Sequence, residues 1–321
     1  MTPTSILIVK PSSLGDVVHT LPSVHCLKRS FPDAQIRWIV NPEWKPLLED
    51  NRDLAEVIPF PRRSFGGLEG LPRFFSLGAS LGRLRPDLVL DFQGLLRSAW
   101  IARSARGKRI LGLSNAREGA RVFYDATARV HWHQHAVDRY LELARLAGAN
   151  VSGRAVFNLP KGRAIPQFAI PDPLVILHPF ARGSGKSLTP EEIHELAHAL
   201  DPLRVVIVGR TSHEFRCGRN AISLVNRTEL DQLIWLLRQS SFVISVDSGP
   251  MHIAAAVSRN LLSIHFWSDP RSVGPYRKDA WIWRDQKILR VAQIEKLKFR
   301  REIQGRPNMA HIAALVHKQL S

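Results

Sequence analysis

The sequence is poor in cysteine and in long apolar runs. It has 321 residues but only two cysteines, Cys26 and Cys217, and their spacing fits neither a metal site nor a CxxC motif. Two cysteines with this spacing indicate no disulfide framework, so we expect the chain in a reducing cytoplasm. The apolar run near the N-terminus, Ile6–Val9, is too short for a signal peptide or a membrane span.

Several common nucleotide-binding motifs are also missing. Neither half of the chain has a GxGxxG turn, which disfavours an NAD dehydrogenase. Gly185-Lys186-Ser187 matches the end of a P-loop, but Phe180 stands where its first glycine is required, so a P-loop ATPase is rejected. No DxD-type carboxylate pair follows a predicted strand. We therefore expect no bound metal ion and no cofactor.

Positive charge is in excess, with 45 Lys and Arg against 28 Asp and Glu and a net charge of +17. Such a charge attracts nucleic acid, anionic lipid or a phosphorylated substrate. No zinc-finger spacing, RNP-like motif or basic heptad helix is present. The arginines are spread along the chain, including the regions 62–73, 97–121 and 300–306. This spread favours an enzyme with a phosphorylated substrate or a membrane surface; a nucleic-acid-binding protein is the alternative from another class.

Alternating strand and helix patterns predict an α/β protein of two doubly wound, Rossmann-like domains. Residues 148–171 lack periodicity and are rich in Gly and Pro, so we place the boundary there, with domains at 1–160 and 161–321. Two such domains would face each other across a cleft. The last predicted helix, Met309–Leu320, can pack on either of them.

The expected strands are short apolar runs, at Ser5–Lys10, Gln35–Val40, Val57–Pro59, Asp87–Phe92, Arg109–Leu113, Leu174–His178, Val205–Val208, Ser223–Val225, Phe242–Val246 and Leu262–His265. The expected helices include Val17–Arg29, Pro46–Asp50, Leu71–Leu84, His135–Leu146, Pro190–Ala199, Ser212–Asn220, Leu230–Gln239 and His252–Val257, and another is entered near Gln93–Ser98.

The stretch Asp247-Ser248-Gly249-Pro250 joins a predicted buried strand to a predicted helix. A helix N-terminus has free N–H groups and a partial positive charge, so small residues there create an anion site. Asp247 adds a carboxylate at the edge where open α/β sheets bind ligands. The alternative is an ordinary strand–helix corner with Ser248 as N-cap. His252 in the first turn is either a packing residue or a ligand.

Two further loops carry candidate residues. Asp16 ends the loop after the first strand, where it is either a helix N-cap or a carboxylate that takes a proton from a hydroxyl. Ser12, Ser13 and Gly15 would let a substrate approach this loop. Lys186 lies in a glycine-rich loop before a predicted helix, where it either contacts phosphate or is simply solvated.

Five stretches together resemble the ADP-heptose:lipopolysaccharide heptosyltransferases of glycosyltransferase family 9, and the resemblance covers nearly the whole chain. They are Ser5–Pro22, Asp91–Ala99, Lys186–Glu192, Val243–Ala256 and Ser268–Tyr276. The first stretch is most similar to the heptosyltransferase I branch. The resemblance implies the GT-B fold and inverting transfer of L-glycero-D-manno-heptose from ADP-heptose to Kdo-lipid A or heptosyl-Kdo-lipid A. It also implies a peripheral enzyme at the cytoplasmic face of the inner membrane, with no nucleic-acid partner.

The resemblance also assigns roles to residues. Asp16 matches the general base and Lys186 the cation that neutralises the donor diphosphate. The expected donor-binding residues are Asp247, Ser248, Gly249, Pro250, His252 and, near the nucleoside, Glu214; the expected acceptor-binding residues are Ser12, Ser13, Gly15, Gln93 and Arg97.

The chain departs from the family pattern near the donor lysine. The family often has a Trp-Pro pair there, whereas this chain has Leu188-Thr189-Pro190, and its loop Arg182–Gly185 is unusually rich in glycine. A related GT-B enzyme that uses another nucleotide sugar therefore remains the alternative. A non-catalytic sugar-nucleotide sensor is disfavoured because it would not need Asp16. Residues 281–299 match no pattern.

Overall fold

A computed structural model of the chain describes residues 2–61, 71–131, 133–183, 185–296 and 305–321. The chain forms two compact units, Met1–Pro160 and Lys161–Ser321. Parts of three predicted features lie outside the described residues. They are Ser184 in the predicted glycine-rich loop, residues 297–299 of the unmatched segment, and residues 62–70 and 300–304 of the basic regions.

The first unit contains a parallel six-stranded sheet in the order β3-β2-β1-β4-β5-β6. Its strands are β1 (Ser5–Val9), β2 (Gln35–Val40), β3 (Glu56–Pro59), β4 (Leu88–Asp91), β5 (Arg109–Leu113) and β6 (Ala126–Ala128). Its helices are α1 (Leu14–Ser30), α2 (Leu71–Leu81), α3 (Leu96–Ser104) and α4 (Ala136–Leu146), with 3-10 segments at Pro42–Leu48 and Ala120–Phe123. The strand order reverses between β1 and β4, which is the position where doubly wound sheets bind ligands.

The second unit repeats this plan with a seven-stranded sheet in the order β13-β12-β11-β10-β7-β8-β9. Its strands are β7 (Leu174–His178), β8 (Arg204–Ile207), β9 (Ala221–Ser223), β10 (Phe242–Val246), β11 (Leu261–Ile264), β12 (Trp281–Arg284) and β13 (Lys287–Arg290). Its helices are α5 (Pro190–Ala199), α6 (Leu230–Gln239), α7 (Gly249–Val257), α8 (Pro270–Val273) and α9 (Met309–Leu320), with a 3-10 segment at Val291–Lys296. Only β13 among these strands runs antiparallel to its neighbour. The order reverses between β7 and β10, so the predicted pair of doubly wound α/β units is confirmed.

Apolar composition explains the central strands of both sheets. Strands β4, β7 and β10 are buried along their whole length. Strands that are covered by helices on both faces have continuous apolar runs rather than alternating ones. For this reason a short continuous apolar run predicted each of these strands, although none of them shows the alternation of apolar and polar residues that is typical of a half-buried strand.

The last helix completes the core of the second unit. The apolar side of α9, including Ile312 and Val316, is buried in one cluster with Ile193 and Leu196 of α5. Residues three and four apart lie on one side of a helix, so this spacing lets α9 pack on α5.

Two predicted helices were wrong. Residues Ser212–Asn220 form no helix. Instead, Thr211 and Asn226 exchange hydrogen bonds, at 3.1 Å from the Thr211 N–H to Asn226 Oδ1 and 2.7 Å from Asn226 Nδ2 to the Thr211 carbonyl. Short polar side chains compete with helical hydrogen bonds in this way. Helix Pro46–Asp50 is also wrong, because the segment is a 3-10 helix that begins at Pro42.

Helices α1 and α7 both begin three residues earlier than predicted, at Leu14 rather than Val17 and at Gly249 rather than His252. In each case a serine precedes the helix in extended conformation and is its N-cap residue.

The hairpin of β12 and β13 was not predicted. It turns at Asp285 and Gln286, whose φ angles of 48° and 61° suit a tight hairpin turn.

The packing of α9 predicts a stability effect. Replacing the fully buried Ile312 by alanine removes apolar contacts and leaves a cavity, so Ile312→Ala should lower the free energy of unfolding by about 2–5 kcal/mol. Urea denaturation monitored by circular dichroism measures this loss. The control is Lys318→Ala on the exposed side of α9, which should change stability by less than about 0.5 kcal/mol. Equal effects of the two substitutions would contradict the burial of α9.

Candidate active site

Asp16 lies in the first turn of α1 at the carboxyl end of β1. The N-cap of α1 is Ser13, so the alternative in which Asp16 is the N-cap was wrong. Asp16 is instead the third helical residue, and its Oδ2 accepts hydrogen bonds from the Ser13 N–H at 3.0 Å and the Ser13 hydroxyl at 2.9 Å. This reciprocal capping fixes the orientation of the carboxylate.

The other carboxylate oxygen of Asp16 faces Lys10 and Tyr140. The Tyr140 hydroxyl donates to Oδ1 at 3.2 Å, and the Lys10 ammonium group lies 4.0 Å from Oδ1. Tyr140 reaches this position because α4 packs along α1. We call Lys10, Ser13, Asp16 and Tyr140 the Asp16 cluster.

The cluster keeps Asp16 ionised. Partial burial raises the pKa of Asp16, but the Lys10 charge and the hydrogen bonds from Ser13 and Tyr140 outweigh that effect, so the pKa is lower than usual. Burial, together with the nearby Asp16 charge, holds the pKa of Tyr140 well above its usual value, so this hydroxyl remains a donor. The Asp16 side chain is 38% exposed. It is thus a charged carboxylate that a ligand can reach.

Lys10 connects this cluster to the neighbouring strand β4. Its side chain is 3% exposed, and its ammonium group donates to the Phe92 carbonyl at 3.1 Å. Burial lowers the pKa of Lys10, while the negative charges of Asp16 and Asp91 oppose that change. Gln93 makes a second connection, since its Oε1 accepts from the Ser12 N–H at 3.2 Å. The predicted residues Ser12, Ser13, Asp16 and Gln93 therefore meet where the strand order reverses.

Asp91, at the end of β4, organises the loop that carries Gln93. Its Oδ1 accepts from the backbone N–H groups of Gln93 and Gly94, at 2.8 and 3.1 Å. Its Oδ2 accepts from the hydroxyls of Ser98 and Tyr124, at 2.8 and 2.7 Å. Burial raises the pKa of Asp91, and the four donors oppose that rise.

The remaining predicted residues of the first unit differ in exposure. Arg97 is exposed in the first turn of α3, and Gly15 is buried in the first turn of α1. In the sequence, Gly15 follows Ser12 closely and Arg97 follows Gln93 closely, so each is near one partner of the Gln93–Ser12 hydrogen bond.

In the second unit, Asp247, Ser248 and Gly249 form the turn from β10 into α7, which we call the Ser248 turn. Asp247 is 26% exposed, and Ser248 is the N-cap. Pro250 follows in the first helical turn, where its missing N–H costs no hydrogen bond. Backbone N–H groups without helical partners therefore lie at the carboxyl end of β10, where they can bind an anion.

Two buried histidines lie beneath the Ser248 turn. His178 ends β7, and its Nδ1 is 3.2 Å from the Ser248 hydroxyl across the point of reversal. His265 follows β11, contacts the Ser268 and Ser263 hydroxyls at 2.9 and 3.0 Å, and has its Nδ1 4.0 Å from Asp247 Oδ2. Burial lowers the pKa of His178 to about 4 and also lowers that of His265. Both rings are therefore neutral at physiological pH.

Lys186 is exposed in the loop between β7 and α5 and makes no ion pair within the described part of the chain. Ser187 fixes this loop, because its hydroxyl accepts from the Ala181 N–H at 2.9 Å. His252 is buried in α7, whereas Glu214 is exposed in the irregular segment that replaces the predicted helix. Among the described residues, Glu214 forms no hydrogen bond or ion pair with the Ser248 turn.

The sequence did not reveal Lys10, Tyr140, Asp91, His178 or His265 as part of these sites. Lys10 and His178 each stand at the end of the first strand of their sheet, and that position was a usable signal. Tyr140 gave no such signal, since in the sequence it resembles any other apolar residue of an amphipathic helix.

Within residues 2–61, 71–131, 133–183, 185–296 and 305–321, no group of three His, Cys, Asp or Glu side chains could hold a metal ion. No helix in the same ranges is long and apolar enough to cross a bilayer.

The chain is similar to known heptosyltransferases. The family model for glycosyltransferase family 9 (heptosyltransferase) matches residues 74–299. Lipopolysaccharide heptosyltransferase 1 of Pseudomonas aeruginosa is 32% identical over 296 residues, which cover 84% of this chain and 81% of that protein. The Salmonella typhimurium protein of the same name is 29% identical over 297 residues, or 85% of this chain and 92% of the relative.

The fold agrees with this relationship. The solved structure of the E. coli heptosyltransferase WaaC with ADP superposes with a TM-score of 0.77, at 23% identity, and covers 98% of this chain and 99% of that one. E. coli ADP-heptose lps heptosyltransferase II gives a TM-score of 0.73 at 20% identity, with 98% of each chain covered. The predicted GT-B fold class is confirmed. The chain therefore belongs to glycosyltransferase family 9, the heptosyltransferases, and is a glycosyltransferase.

Proposed function

We propose that this enzyme transfers heptose from ADP-heptose to the inner core of lipopolysaccharide, with Asp16 as the general base. The observation that carries the proposal is the Asp16 cluster, which holds an ionised and partly exposed carboxylate in a fixed orientation. Relatives that match most of the chain are named lipopolysaccharide heptosyltransferase 1, which supports transfer of a heptose to lipopolysaccharide. Kdo-lipid A is the proposed acceptor, and heptosyl-Kdo-lipid A is the alternative.

The hydrogen bonds of Asp16 distinguish its two oxygens. Oδ2 accepts two hydrogen bonds from Ser13, whereas Oδ1 accepts one from Tyr140. In our proposal, Oδ1 uses its remaining lone pair to take the proton from the acceptor hydroxyl. A carboxylate with a lowered pKa is a weak base, but the hydroxyl becomes acidic as its oxygen bonds to the sugar carbon, so proton transfer is favourable in the transition state.

The second unit would hold the donor. Negative charge grows on the ADP diphosphate as the sugar–oxygen bond breaks, and the N-terminus of α7 together with Lys186 would stabilise it. Asp247 would hold sugar hydroxyls, and Glu214 would lie near the nucleoside. Attack on the face opposite the diphosphate inverts the anomeric centre. With a lysine and a helix dipole in this role, we propose that transfer needs no metal ion.

The site of action is part of the proposal. A phosphorylated lipid acceptor is reached at the cytoplasmic face of the inner membrane, and the net charge of +17 favours both that acceptor and that surface. Ser12, Ser13, Gly15, Gln93 and Arg97 are the proposed acceptor contacts. The departures from the family pattern around Lys186 keep another nucleotide sugar as the alternative donor, and competition between ADP-heptose and other nucleotide sugars tests it.

Replacing Asp16 tests the function directly. Asp16→Ala should lower kcat for transfer from ADP-heptose by about 10²–10⁴-fold, because the general base is lost. Turnover is measured with a truncated lipopolysaccharide acceptor in EDTA, and ADP binding by calorimetry should not change. The control is Asp33→Ala, an exposed aspartate of the same unit. Full transfer by Asp16→Ala would reject the base assignment, and failure of the wild type to bind ADP-heptose would reject the donor.

The Tyr140 hydroxyl predicts a change in pH dependence. It stabilises the charged form of Asp16, so Tyr140→Phe should raise the pKa of Asp16 and move the acidic limb of the kcat/KM profile to higher pH. The matched control is Tyr124→Phe, which removes a hydroxyl from Asp91 instead. An unchanged acidic limb in Tyr140→Phe would contradict the proposed coupling to the base.

Lys186 predicts a donor-specific defect. Lys186→Ala should lower kcat/KM for the donor by about 10²-fold, because a charge that stabilises the leaving diphosphate is lost, and Lys186→Arg should restore part of it. Calorimetry should also show weaker binding of ADP. Arg182→Ala changes another exposed cation of the same loop and should have little effect. If the two alanine variants behave alike, Lys186 has no special role.

A further inference from the structure

The first unit exposes large apolar and basic side chains on three neighbouring segments, α2, α3 and the 3-10 turn Ala120–Phe123. Phe75 of α2 is 62% exposed, Leu96 at the start of α3 is 48% exposed, and Val122 in the 3-10 turn is 83% exposed. Large apolar side chains at this exposure lose the free energy that burial would provide, so a cluster of them indicates a contact surface.

The contacts of α3 join these three residues into one surface. The Phe75 ring meets the Trp100 ring edge-on, with 6.1 Å between their centroids. Trp100 is four residues after Leu96, so the two share a side of α3. The 3-10 turn that carries Val122 also packs on α3, and the preceding Glu118 accepts a hydrogen bond from the Leu96 N–H at 3.1 Å. We call this region, from α2 across α3 to the turn, the docking surface.

Arginines surround the apolar side chains. The exposed arginines of these segments are Arg73, Arg97, Arg103, Arg106, Arg117 and Arg121. None of them forms an ion pair with a described residue. Glu118, which accepts a hydrogen bond from the Leu96 N–H, supplies a single negative charge against these six arginines. The docking surface therefore combines strong positive charge with exposed apolar groups.

We propose that the docking surface binds an anionic lipid bilayer. Phe75, Leu96 and Val122 would enter the boundary between headgroups and acyl chains, and the arginines would bind headgroup phosphates. Apolar insertion together with electrostatic attraction is what holds peripheral proteins on membranes. Nucleic acid also attracts arginines, but its phosphate backbone offers no apolar layer to three exposed hydrocarbon side chains.

This inference rests on the proposed function and specifies how the acceptor is reached. The surface and the candidate acceptor loop share one support, because Asp91 accepts hydrogen bonds from Gln93 in the loop, from Ser98 on α3 and from Tyr124 after the turn. Contact of α3 with a bilayer would thus occur beside the proposed acceptor residues. A lipid acceptor could be glycosylated without leaving the membrane.

Vesicle sedimentation tests the proposal. The full-length wild type should bind vesicles of phosphatidylethanolamine and phosphatidylglycerol but bind pure phosphatidylcholine weakly. The triple variant Phe75→Ser, Leu96→Ser, Val122→Ser should lower the partition coefficient on anionic vesicles at least about tenfold. The matched control replaces Val156, Ile170 and Ile222 by serine, which are exposed apolar residues elsewhere, and it should bind like the wild type. Circular dichroism establishes that both variants are folded.

A second triple variant separates charge from insertion. Arg103→Gln, Arg106→Gln, Arg121→Gln should weaken binding to anionic vesicles and flatten its dependence on salt. If the folded apolar variant or this arginine variant binds anionic vesicles like the wild type, the proposal is overturned. It is also overturned if the two surface variants lose binding to generic DNA while keeping vesicle binding.

Turnover distinguishes this proposal from the proposed function. With a deacylated soluble acceptor, the apolar variant should transfer heptose like the wild type, and with the acceptor in vesicles it should be at least about tenfold slower. Equal rates in vesicles would overturn the docking role. If the wild type transfers heptose to neither acceptor, the proposed function fails, whereas surface-dependent vesicle binding would still support the docking surface.

Discussion

Lys10 carries an ammonium group that is almost completely removed from water at the end of β1. A buried charge of this kind is costly unless hydrogen bonds and an opposite charge compensate for it. The Phe92 carbonyl and the Asp16 carboxylate provide both, at 3.1 and 4.0 Å. Satisfying Lys10 therefore holds the carboxyl ends of β1 and β4 together and places a negative charge in the first turn of α1. The candidate base and the acceptor loop both depend on this arrangement.

Each unit has a side chain that links its two central strands at the point where the strand order reverses, but the two side chains differ in charge. In each, the end of the first strand reaches across the point where the strand order reverses: Lys10 to Phe92 in one unit, His178 to Ser248 in the other. The Lys10 charge lowers the pKa of Asp16 and so favours the ionised carboxylate. His178, whose pKa burial lowers to about 4, is neutral and leaves the positive end of α7 available to an anion. The same fold thus carries an ionised carboxylate in one unit and a candidate anion site in the other.

Local patterns predicted most of the fold, and they failed where side chains replaced backbone partners. Strand Gln35–Val40 and helix Leu230–Gln239 have the predicted bounds, because their apolar spacing decides their conformation. Helix Ser212–Asn220 does not form, and just before it the Asn226 side chain binds the Thr211 backbone while the Thr211 hydroxyl accepts from the His213 N–H. The sequence drew attention to Asp16, but not to its partner Tyr140, which is 124 residues away. Such a contact arises from the packing of α4 on α1, and no local spacing records it.

The structure divides the arginines of this chain into those that form ion pairs and those that do not. In the sequence the arginines are simply spread along the chain, whereas in the structure some of them are used to hold segments together. Arg37 pairs with Glu56 between β2 and β3, and Arg163 pairs with Asp231 at the start of the second unit. Surface pairs of this kind contribute little to stability, but they cancel charge locally. The arginines of the docking surface have no such partners among the described residues.

Other exposed arginines also lack ion pairs, so charge alone does not distinguish the docking surface from the rest of the molecule. What distinguishes it is that uncancelled charge coincides with Phe75, Leu96 and Val122, and only a partner that is anionic at its surface and apolar beneath it satisfies both.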